Sequence, residues 1–324
     1  MSVSQKTLAE SLGVSVATIS RVLNGKENVS EETRKKVEEK IKESEYTPHL
    51  LARSLKKSRT NSIGILVSDI TEIFFGAIIK SATKVLESSG YDVLLCDSDE
   101  NLTKEQNYLE SLSGKRVEGI ILASLGAETE MLDKIENRGI RIVQVDNYIS
   151  NRYGAVLIDN RSAGRMGMEY LFKKGYRHIG IITGNPEEFT GSERLKGCEE
   201  AGKDLGMELI VRNGDFKEPS GFSAMKSLLL ETPRPDAVFV HSSKMTYGAI
   251  AALRAEGVQY PKDIGLLAFD IRDEYGIFQP LLTAIVQPET MIGEAAARNL
   301  ISEISGMPMQ TVIFQPELIV RESA

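Results

Sequence analysis

The sequence predicts a chain of two parts, an all-α helix-turn-helix headpiece followed by an α/β region of two doubly wound parallel-sheet subdomains. Two observations predict this. Residues 8–24 have the apolar spacing of two short crossed helices, and from residue 62 onward apolar strands alternate with amphipathic helices. At 324 residues, the chain is long enough for two or three domains.

The first two helices are predicted from apolar spacing and from the residues between them. Leu8–Leu12 presents one apolar face, and Ile19 with Val22 packs the second helix against it. Gly13 lies where the chain must turn sharply, often with positive φ, which glycine tolerates best. Ser15 is a suitable N-cap because its hydroxyl can accept a bond from a free amide.

The opposite face of the second helix carries Val16, Ala17, Ser20, Arg21 and Asn24. These side chains have no core to fill, so they are free to enter a DNA major groove. A helical hairpin inside a larger core would give the same pattern. The next residues favour DNA binding, because Ser30 begins a third capped helix and the basic stretch LKKSR follows at 55–59.

The segments VSVATISRVLNG and YTPHLLARSL resemble the N-terminus of the lactose-repressor (LacI/GalR) family of bacterial transcription regulators. The resemblance implies a DNA-binding headpiece at 1–47, a hinge helix and linker at 48–61, and an effector-binding and dimerisation domain at 62–324. Within that domain it implies an N-subdomain at about 62–158 and 287–311 and a C-subdomain at about 160–285 and 313–324. The implied crossings between the two lie near Asp159–Asn160, Val286–Gln287 and Thr311–Phe314.

The same resemblance assigns DNA contacts by position. Base-facing positions match Val16, Ala17, Ser20 and Arg21. Arg21 is the residue expected to read a guanine, since a guanidinium can bond O6 and N7 together. Phosphate or positioning contacts match Thr18, Asn24, Ser30 and Thr33. Hinge contacts match Ala52 and Leu55, with Leu55 as a minor-groove wedge, and His49 replaces the asparagine usual at its position.

The charge distribution fits a DNA-binding end on an acidic body. Residues 1–60 carry 12 Lys/Arg and 8 Asp/Glu, a net charge of +4, whereas the remainder carries 27 and 38, a net charge of −11. DNA binding should therefore be salt-sensitive.

No apolar run approaches membrane-spanning length and the start lacks a signal-peptide core, so we expect a cytoplasmic, nucleoid-associated protein with Cys96 and Cys198 reduced.

From residue 62 the alternating strands and helices also resemble a type I periplasmic-binding-protein fold, which binds ligands at strand ends between two lobes. Asp69, Ser124 and Asp146 each follow a predicted strand. Asp69 and Asp146 are about as well explained as caps of the following turn or helix. The resemblance matches Arg194 and Asp270 to positions that hold polar groups of the effector.

Each of the remaining cleft candidates has an alternative role. Arg194 could instead pair with Glu193 or Asp215. Phe74 is a candidate for an apolar wall, but Phe74 and Phe75 are not expected to face the cleft together on a helix. Ser242 stands at a pocket position where the family commonly has Asn-Asp, and TEIFF replaces a loop that commonly has Asn-Pro. These departures weaken the transfer of a simple sugar specificity.

Enzyme chemistry has little support in the sequence. The phosphate-binding GxxxxGK[ST], the dinucleotide GxGxxG and the nucleophile GxSxG are absent, and the three histidines lack metal-ligand spacing. We expect no enzymatic activity, cofactor or metal.

The sequence predicts a repressor of a carbohydrate or related catabolic operon. We expect it to bind a pseudo-palindromic DNA operator as a homodimer and to be controlled by a small effector such as a sugar or sugar acid. The alternatives are control by a protein corepressor and a sugar-binding module that does not bind DNA.

Overall fold

The computed structural model describes residues 4–23, 28–44, 60–273 and 275–324. It separates into two compact units, Met1–Arg59 and Thr60–Ala324. Each unit is described by itself. The predicted contacts Asn24, His49, Ala52 and Leu55, together with the hinge helix, lie outside the described residues.

Within its described residues, 4–23 and 28–44, the first unit forms the helices α1 (Gln5–Leu12), α2 (Val16–Leu23) and α3 (Glu31–Glu43). Gly13 ends α1 with φ +64°, as the predicted sharp turn requires. The Ser15 hydroxyl accepts a hydrogen bond from the Thr18 amide at 3.1 Å, which confirms its predicted capping role. The small core is formed by Leu8, Ala9, Ile19, Val22 and Val37.

In the second unit, strands and helices alternate along the chain. The strands are β1 (Ser62–Val67), β2 (Asp92–Asp97), β3 (Gly119–Leu122), β4 (Arg141–Val145), β5 (Gly154–Ile158), β6 (His178–Thr183), β7 (Glu208–Asn213), β8 (Ala237–Val240), β9 (Gly265–Phe269), β10 (Thr283–Val286), β11 (Thr311–Phe314) and β12 (Glu317–Ile319). The helices are α4 (Ile73–Ser88), α5 (Leu102–Gly114), α6 (Thr129–Glu136), α7 (Asn160–Lys173), α8 (Phe189–Leu205), α9 (Glu218–Leu229), α10 (Ser243–Ala255) and α11 (Glu289–Ile304).

These strands form two six-stranded sheets, each the centre of one lobe. The first lobe has the strand order β11-β5-β4-β3-β1-β2, all parallel, and contains α4, α5, α6 and α11. The second has the order β12-β10-β9-β8-β6-β7, in which β12 is antiparallel to β10, and contains α7 to α10. The chain therefore crosses between lobes three times, after β5, β10 and β11.

The third crossing lies later than the sequence predicts. Thr311–Phe314 is not a crossover, because all four residues pair in parallel with β5, from Thr311 opposite Ala155 to Phe314 opposite Ile158. Residues 313 and 314, predicted in the second subdomain, thus belong to the first sheet. The chain crosses at 315–316.

Helices cover both faces of each sheet, and the strands are buried accordingly. In β1, Ile63, Ile65 and Val67 face the core that includes α4 and α11, whereas Leu66 faces the core beneath α5 and α6. Successive side chains of a strand point to opposite faces, so a strand covered on both sides must be apolar throughout. This burial explains the continuous apolar run SIGILV.

A buried carboxyl group interrupts this packing in the first lobe. Glu303 on α11 is 6 % exposed, and its Oε1 has no hydrogen-bond partner among the described residues. Gly154 leaves the space for it, since a Cβ there would lie 2.2 Å from Oε1. Burial raises the pKa of Glu303 to about 7.

We predict that Glu303→Gln stabilises the protein more at pH 8 than at pH 5. The raised pKa means that the folded protein holds a proton that the unfolded chain releases near its ordinary pKa, so native stability falls as pH rises from about 4.5 to 7. The variant lacks this loss, and its advantage over the native protein should grow by up to about 3 kcal/mol across that interval. Urea unfolding at pH 5, 6, 7 and 8 measures the difference.

The matched control is Glu110→Gln on α5, where the side chain is exposed. Its unfolding free energy should track that of the native protein at every pH. A Glu303→Gln advantage that stays constant from pH 5 to 8 would contradict the argument.

Candidate functional site

The carboxyl ends of the parallel strands in the two lobes face one another across a cleft. Its empty space, including the solvent-open mouth, is about 530 Å³. Five predicted residues line it, namely Phe74, Asp146, Arg194, Ser242 and Asp270. Glu72, Phe75 and Ser243 also line it, and they lie in the TEIFF and Ser242–Ser243 segments that stand at pocket positions of the family. The lining residues without a prediction as binding residues are Ser68, Glu100, Leu125, Asn147, Glu188, Thr190, Phe216 and Gln287.

Arg194 is the most deeply buried charged group of the cleft, at 4 % exposure. Its Nε donates to Asn160 Oδ1 at 2.7 Å, and its Nη1 donates to the His241 carbonyl at 2.8 Å. The guanidinium also lies 3.8 Å from the centre of the Phe269 ring. The possible pairing with Glu193 or Asp215 is not observed. These contacts fix the direction of the guanidinium at the cleft wall.

Two glycines allow the close packing of α7 and α8 that places Arg194. A Cβ on Gly164 would lie 2.1 Å from the Arg194 carbonyl oxygen, and a Cβ on Gly197 would lie 2.0 Å from the Arg161 carbonyl oxygen. Any larger residue would force these backbones apart. The helix that carries Arg194 is therefore held by backbone-to-backbone contact rather than by adjustable side chains.

Asp146 and Asp270 directly follow β4 and β9 and lie in the left-handed backbone region, with φ +64° and +57°. Such strain is tolerated best by Asp and Asn among residues with side chains and often marks functional sites. Asp270 accepts bonds from the Gln287 side-chain and backbone amides at 2.7 and 3.2 Å, and burial raises its pKa to about 7. Burial also raises the pKa of Asp146, whose carboxylate has no hydrogen bond among the described residues. The capping alternative for Asp146 thus lacks support.

Ser242 lies two residues past β8 and has a local structural role at the cleft wall. Its hydroxyl accepts from the Met245 amide at 3.2 Å and caps α10.

Ser124 and Asp69 do not line the cleft. Ser124 is 2 % exposed, and its hydroxyl donates to Glu105 and accepts from the Gly126 and Ala127 amides, so it holds the loop after β3. This placement corrects its assignment to the cleft.

Asp69 lies beside the cleft rather than in its lining. It accepts from the Thr71 amide and hydroxyl at 2.8 and 2.6 Å, as a turn cap would. It also forms an ion pair with Lys244 of the second lobe. It therefore has both a local capping role and a contact across the lobes.

The aromatic wall differs from the prediction. Phe74 and Phe75 both line the cleft, with ring centres 5.1 Å apart in an edge-to-face arrangement, and both also pack in the core. They lie in the first turn of α4, at the end of the helix that abuts the cleft, where neighbouring side chains can both reach it. Phe216 adds a third ring from the loop after β7.

Several polar contacts join the two lobes around the cleft. Beside the Asp69–Lys244 pair, the Ser243 hydroxyl donates to Glu72 at 3.1 Å, and the Thr190 amide donates to Asn147 Oδ1 at 3.1 Å. Lys244 also donates to the Thr71 hydroxyl at 2.8 Å, and the ion pairs Lys217–Glu100 and Arg272–Glu289 join the lobes at 3.1 Å each. Groups from both lobes thus meet where a ligand in the cleft would lie.

The headpiece exposes part of the face predicted to contact DNA. Val16 is 43 % exposed, Ala17 and Arg21 are also exposed, and Ser20 is half-buried. The three hydroxyl residues predicted as phosphate or positioning contacts have local structural roles. Thr18 bonds Ser15, whereas Ser30 accepts from the Thr33 amide at 3.3 Å and caps α3.

Across residues 4–23, 28–44, 60–273 and 275–324, every helix is too short or too polar to span a bilayer. In the part of the chain that the structure describes, no three His, Cys, Asp or Glu side chains are grouped to hold a metal ion.

Two family profiles match the chain. The profile described as bacterial regulatory proteins, lacI family, matches residues 6–49. The profile described as periplasmic binding proteins and sugar binding domain of LacI family matches residues 60–317.

Individual proteins agree with these profiles. The HTH-type transcriptional repressor PurR of Pectobacterium atrosepticum is 36% identical over 328 residues, which cover 98% of this chain and 96% of that protein. A transcriptional regulator CelR–cellobiose complex superposes with a TM-score of 0.76 at 30% identity, covering 99% and 100% of the two chains. A lac repressor dimer bound to operator and the anti-inducer ONPF has a TM-score of 0.88 at 23% identity, covering 100% and 99%, which supports the fold.

We predict that Gly164→Ala destabilises the protein by about 1–3 kcal/mol or more, because the added methyl group meets the Arg194 backbone and overpacking of this kind is costly. Gly76→Ala is the matched control. Gly76 lies in α4 with open space around its Cα, so the same change should be neutral or stabilise by up to about 1 kcal/mol. Urea unfolding of both full-length variants compares them. Equal effects at the two positions would refute the proposed helix contact.

Proposed function

The chain belongs to the LacI family of bacterial regulatory proteins, and from this membership we propose how its two units work together. It is a DNA-binding transcriptional repressor with an effector-binding domain. We propose that it binds a pseudo-palindromic operator as a homodimer. A small molecule in the interlobe cleft would then change the relation of the lobes and thereby the affinity for the operator.

The proposal for DNA binding rests on the exposed face of α2. Arg21 is exposed there, one position before the buried Val22 that holds the helix in the headpiece core. A guanidinium held this way can bond the O6 and N7 atoms of guanine in the major groove. The net charge of +4 over residues 1–60 adds attraction to phosphates. Val16 and Ala17 beside it could contact thymine methyl groups.

The proposal for effector binding rests on Arg194, which is buried at the cleft wall and fixed by three protein contacts. A preorganised guanidinium binds oxygen atoms of a ligand at little entropic cost. We propose a ligand with several hydroxyl groups, and hence control of a carbohydrate or related catabolic operon. The cellobiose complex of the similar regulator supports this class of ligand.

The contacts between lobes suggest how binding would be transmitted. Asp69–Lys244, Glu72–Ser243 and Asn147–Thr190 each join one lobe to the other beside the cleft. A ligand that replaces or supports such contacts has different affinity for different lobe arrangements, which is what shifts a conformational population.

We predict that Arg21→Ala weakens binding to the preferred operator by roughly 5- to 150-fold, the loss expected for one guanine contact of about 1–3 kcal/mol. The operator is first selected from random duplex DNA with the native protein, and affinities are measured by fluorescence anisotropy at fixed salt. Lys36→Ala on α3 is the control, because Lys36 is exposed and pairs with Glu32. An Arg21→Ala variant with native affinity and selectivity would refute the assignment.

We predict that one class of small molecule raises the stability of the full-length protein and also changes its operator affinity. At 100 times its Kd, a ligand should stabilise the fold by about 2.7 kcal/mol. The thermal-shift panel contains sugars, sugar acids, sugar phosphates, nucleosides and purines. Arg194→Lys, which loses the two-pronged guanidinium, should abolish the response. Failure of the whole panel would contradict small-molecule control and favour a protein corepressor.

A further inference from the structure

We propose that the interlobe cleft takes a ligand carrying at least one ammonium group, an inference that rests on the proposed effector site. The lining is predominantly acidic. Its carboxyl groups come from both lobes and are Glu72, Glu100, Asp146, Glu188 and Asp270. Among the described lining residues, Arg194 is the basic one. The excess of carboxyl groups over basic groups makes the cleft complementary to a cation.

Most of these carboxyl groups have no cation within hydrogen-bonding distance in the described structure. Glu72 accepts from the Ser243 hydroxyl, and Glu188 accepts from the Asn185 amide at 3.1 Å. Asp270 accepts only from Gln287 amides, and Asp146 has no side-chain hydrogen bond among the described residues. Glu100 differs, because Lys217 pairs with it at 3.1 Å. Lys244, which pairs with Asp69, acts on Glu72 and Glu100 by its charge and forms no hydrogen bond with either among the described residues. Glu72, Asp146, Glu188 and Asp270 thus remain open to a hydrogen bond from a ligand ammonium group.

Arg194 does not fill this role, because its hydrogen bonds run to neutral groups. Its Nε and Nη1 donate to the Asn160 side chain and the His241 carbonyl. The positive charge of Arg194 acts to lower the pKa of Asp146 and Asp270, but the guanidinium forms no hydrogen bond with either carboxylate. The third guanidinium nitrogen, Nη2, has no hydrogen-bond partner within the described ranges. Arg194 is only 4 % exposed and lines the cleft, so little solvent is available to this nitrogen in place of a partner. This donor indicates that the ligand also offers an oxygen acceptor, such as a hydroxyl group.

The carboxyl groups show the electrostatic consequence of this arrangement. Burial, with the neighbouring carboxylates adding to it, raises the pKa of Glu72 and Asp270 to about 7 and that of Glu188 to about 6. An ammonium group among them would favour their charged forms. A sugar acid would instead add a like charge.

The aromatic wall suits the same ligand. Phe74, Phe75 and Phe216 line the cleft close to these carboxyl groups. The face of an aromatic ring attracts a cation and also packs against the apolar face of a ring or an alkyl chain. The geometry therefore fits an amino sugar or an aliphatic amine with further hydrogen-bonding groups, which share the ammonium chemistry.

The test uses matched probes in thermal-shift and calorimetric titrations of the full-length protein. One arm compares glucosamine, galactosamine and mannosamine with glucose, galactose and mannose and with glucuronate and galacturonate. A second arm contains putrescine and spermidine. We expect at least one amine to raise the melting temperature and to bind at least 10-fold tighter than its neutral or acidic counterpart. The arm that responds identifies the source of the ammonium group.

Two variants show whether the response arises in the cleft. Asp146→Asn should weaken binding of the responding amine at least 10-fold and should fold, since it removes a carboxylate without a hydrogen bond. Glu188→Gln repeats the test should that variant not fold. Glu87→Gln removes one exposed carboxylate on α4, away from the cleft, and should leave amine binding unchanged.

Two outcomes would overturn the proposal. The first is stabilisation by neutral or acidic probes alone; if those probes also change operator affinity, effector control by the cleft stands while the ammonium inference fails. The second is the absence of stabilisation by every amine. An equal loss of amine binding in Asp146→Asn and Glu87→Gln would assign the effect to general attraction by the acidic body and would also reject the proposed site.

Discussion

The direction of the strands is the constraint on which the rest of the structure depends. In a parallel sheet every strand ends at the same edge, so residues far apart in sequence are brought together there. Both lobes use this geometry, and three chain crossings join them with these edges face to face. Asp146 at the end of β4 and Asp270 at the end of β9 consequently share one cleft.

The second requirement is rigidity behind the cleft wall. Arg194 is buried without an ion pair in hydrogen-bonding contact among the described residues, and it relies on Asn160, the His241 carbonyl and the Phe269 ring. Such an arrangement holds only if α7 and α8 stay at their close spacing, which Gly164 permits. Helix packing in the second lobe thus controls a polar group at the cleft. The energetic cost of burying the guanidinium is offset by contacts that also fix its direction.

The sequence was sufficient for features that depend on local pattern. Gly13 and Ser15 follow from the needs of a helix-turn-helix, and Asp146 follows from its place directly after an apolar strand. It was insufficient where tertiary contacts decide. Ser124 also follows a strand, yet its hydroxyl donates a hydrogen bond to Glu105 on α5, and the side chain does not line the cleft. Glu100 lies three residues past its strand, in a left-handed turn that no simple pattern of strand ends marks.

Closure of the cleft and recognition of a ligand use neighbouring groups. Glu72 lines the cleft and bonds Ser243 of the other lobe, and Asp69 beside it pairs with Lys244. A ligand that contacts these carboxylates must therefore compete with, or add to, contacts that hold the lobes together. Binding free energy can change operator affinity only through such a difference between lobe arrangements. Glu72 thus belongs both to the acidic lining that selects the ligand and to the contacts that hold the lobes together. Ligand recognition and the arrangement of the lobes are coupled through this shared residue.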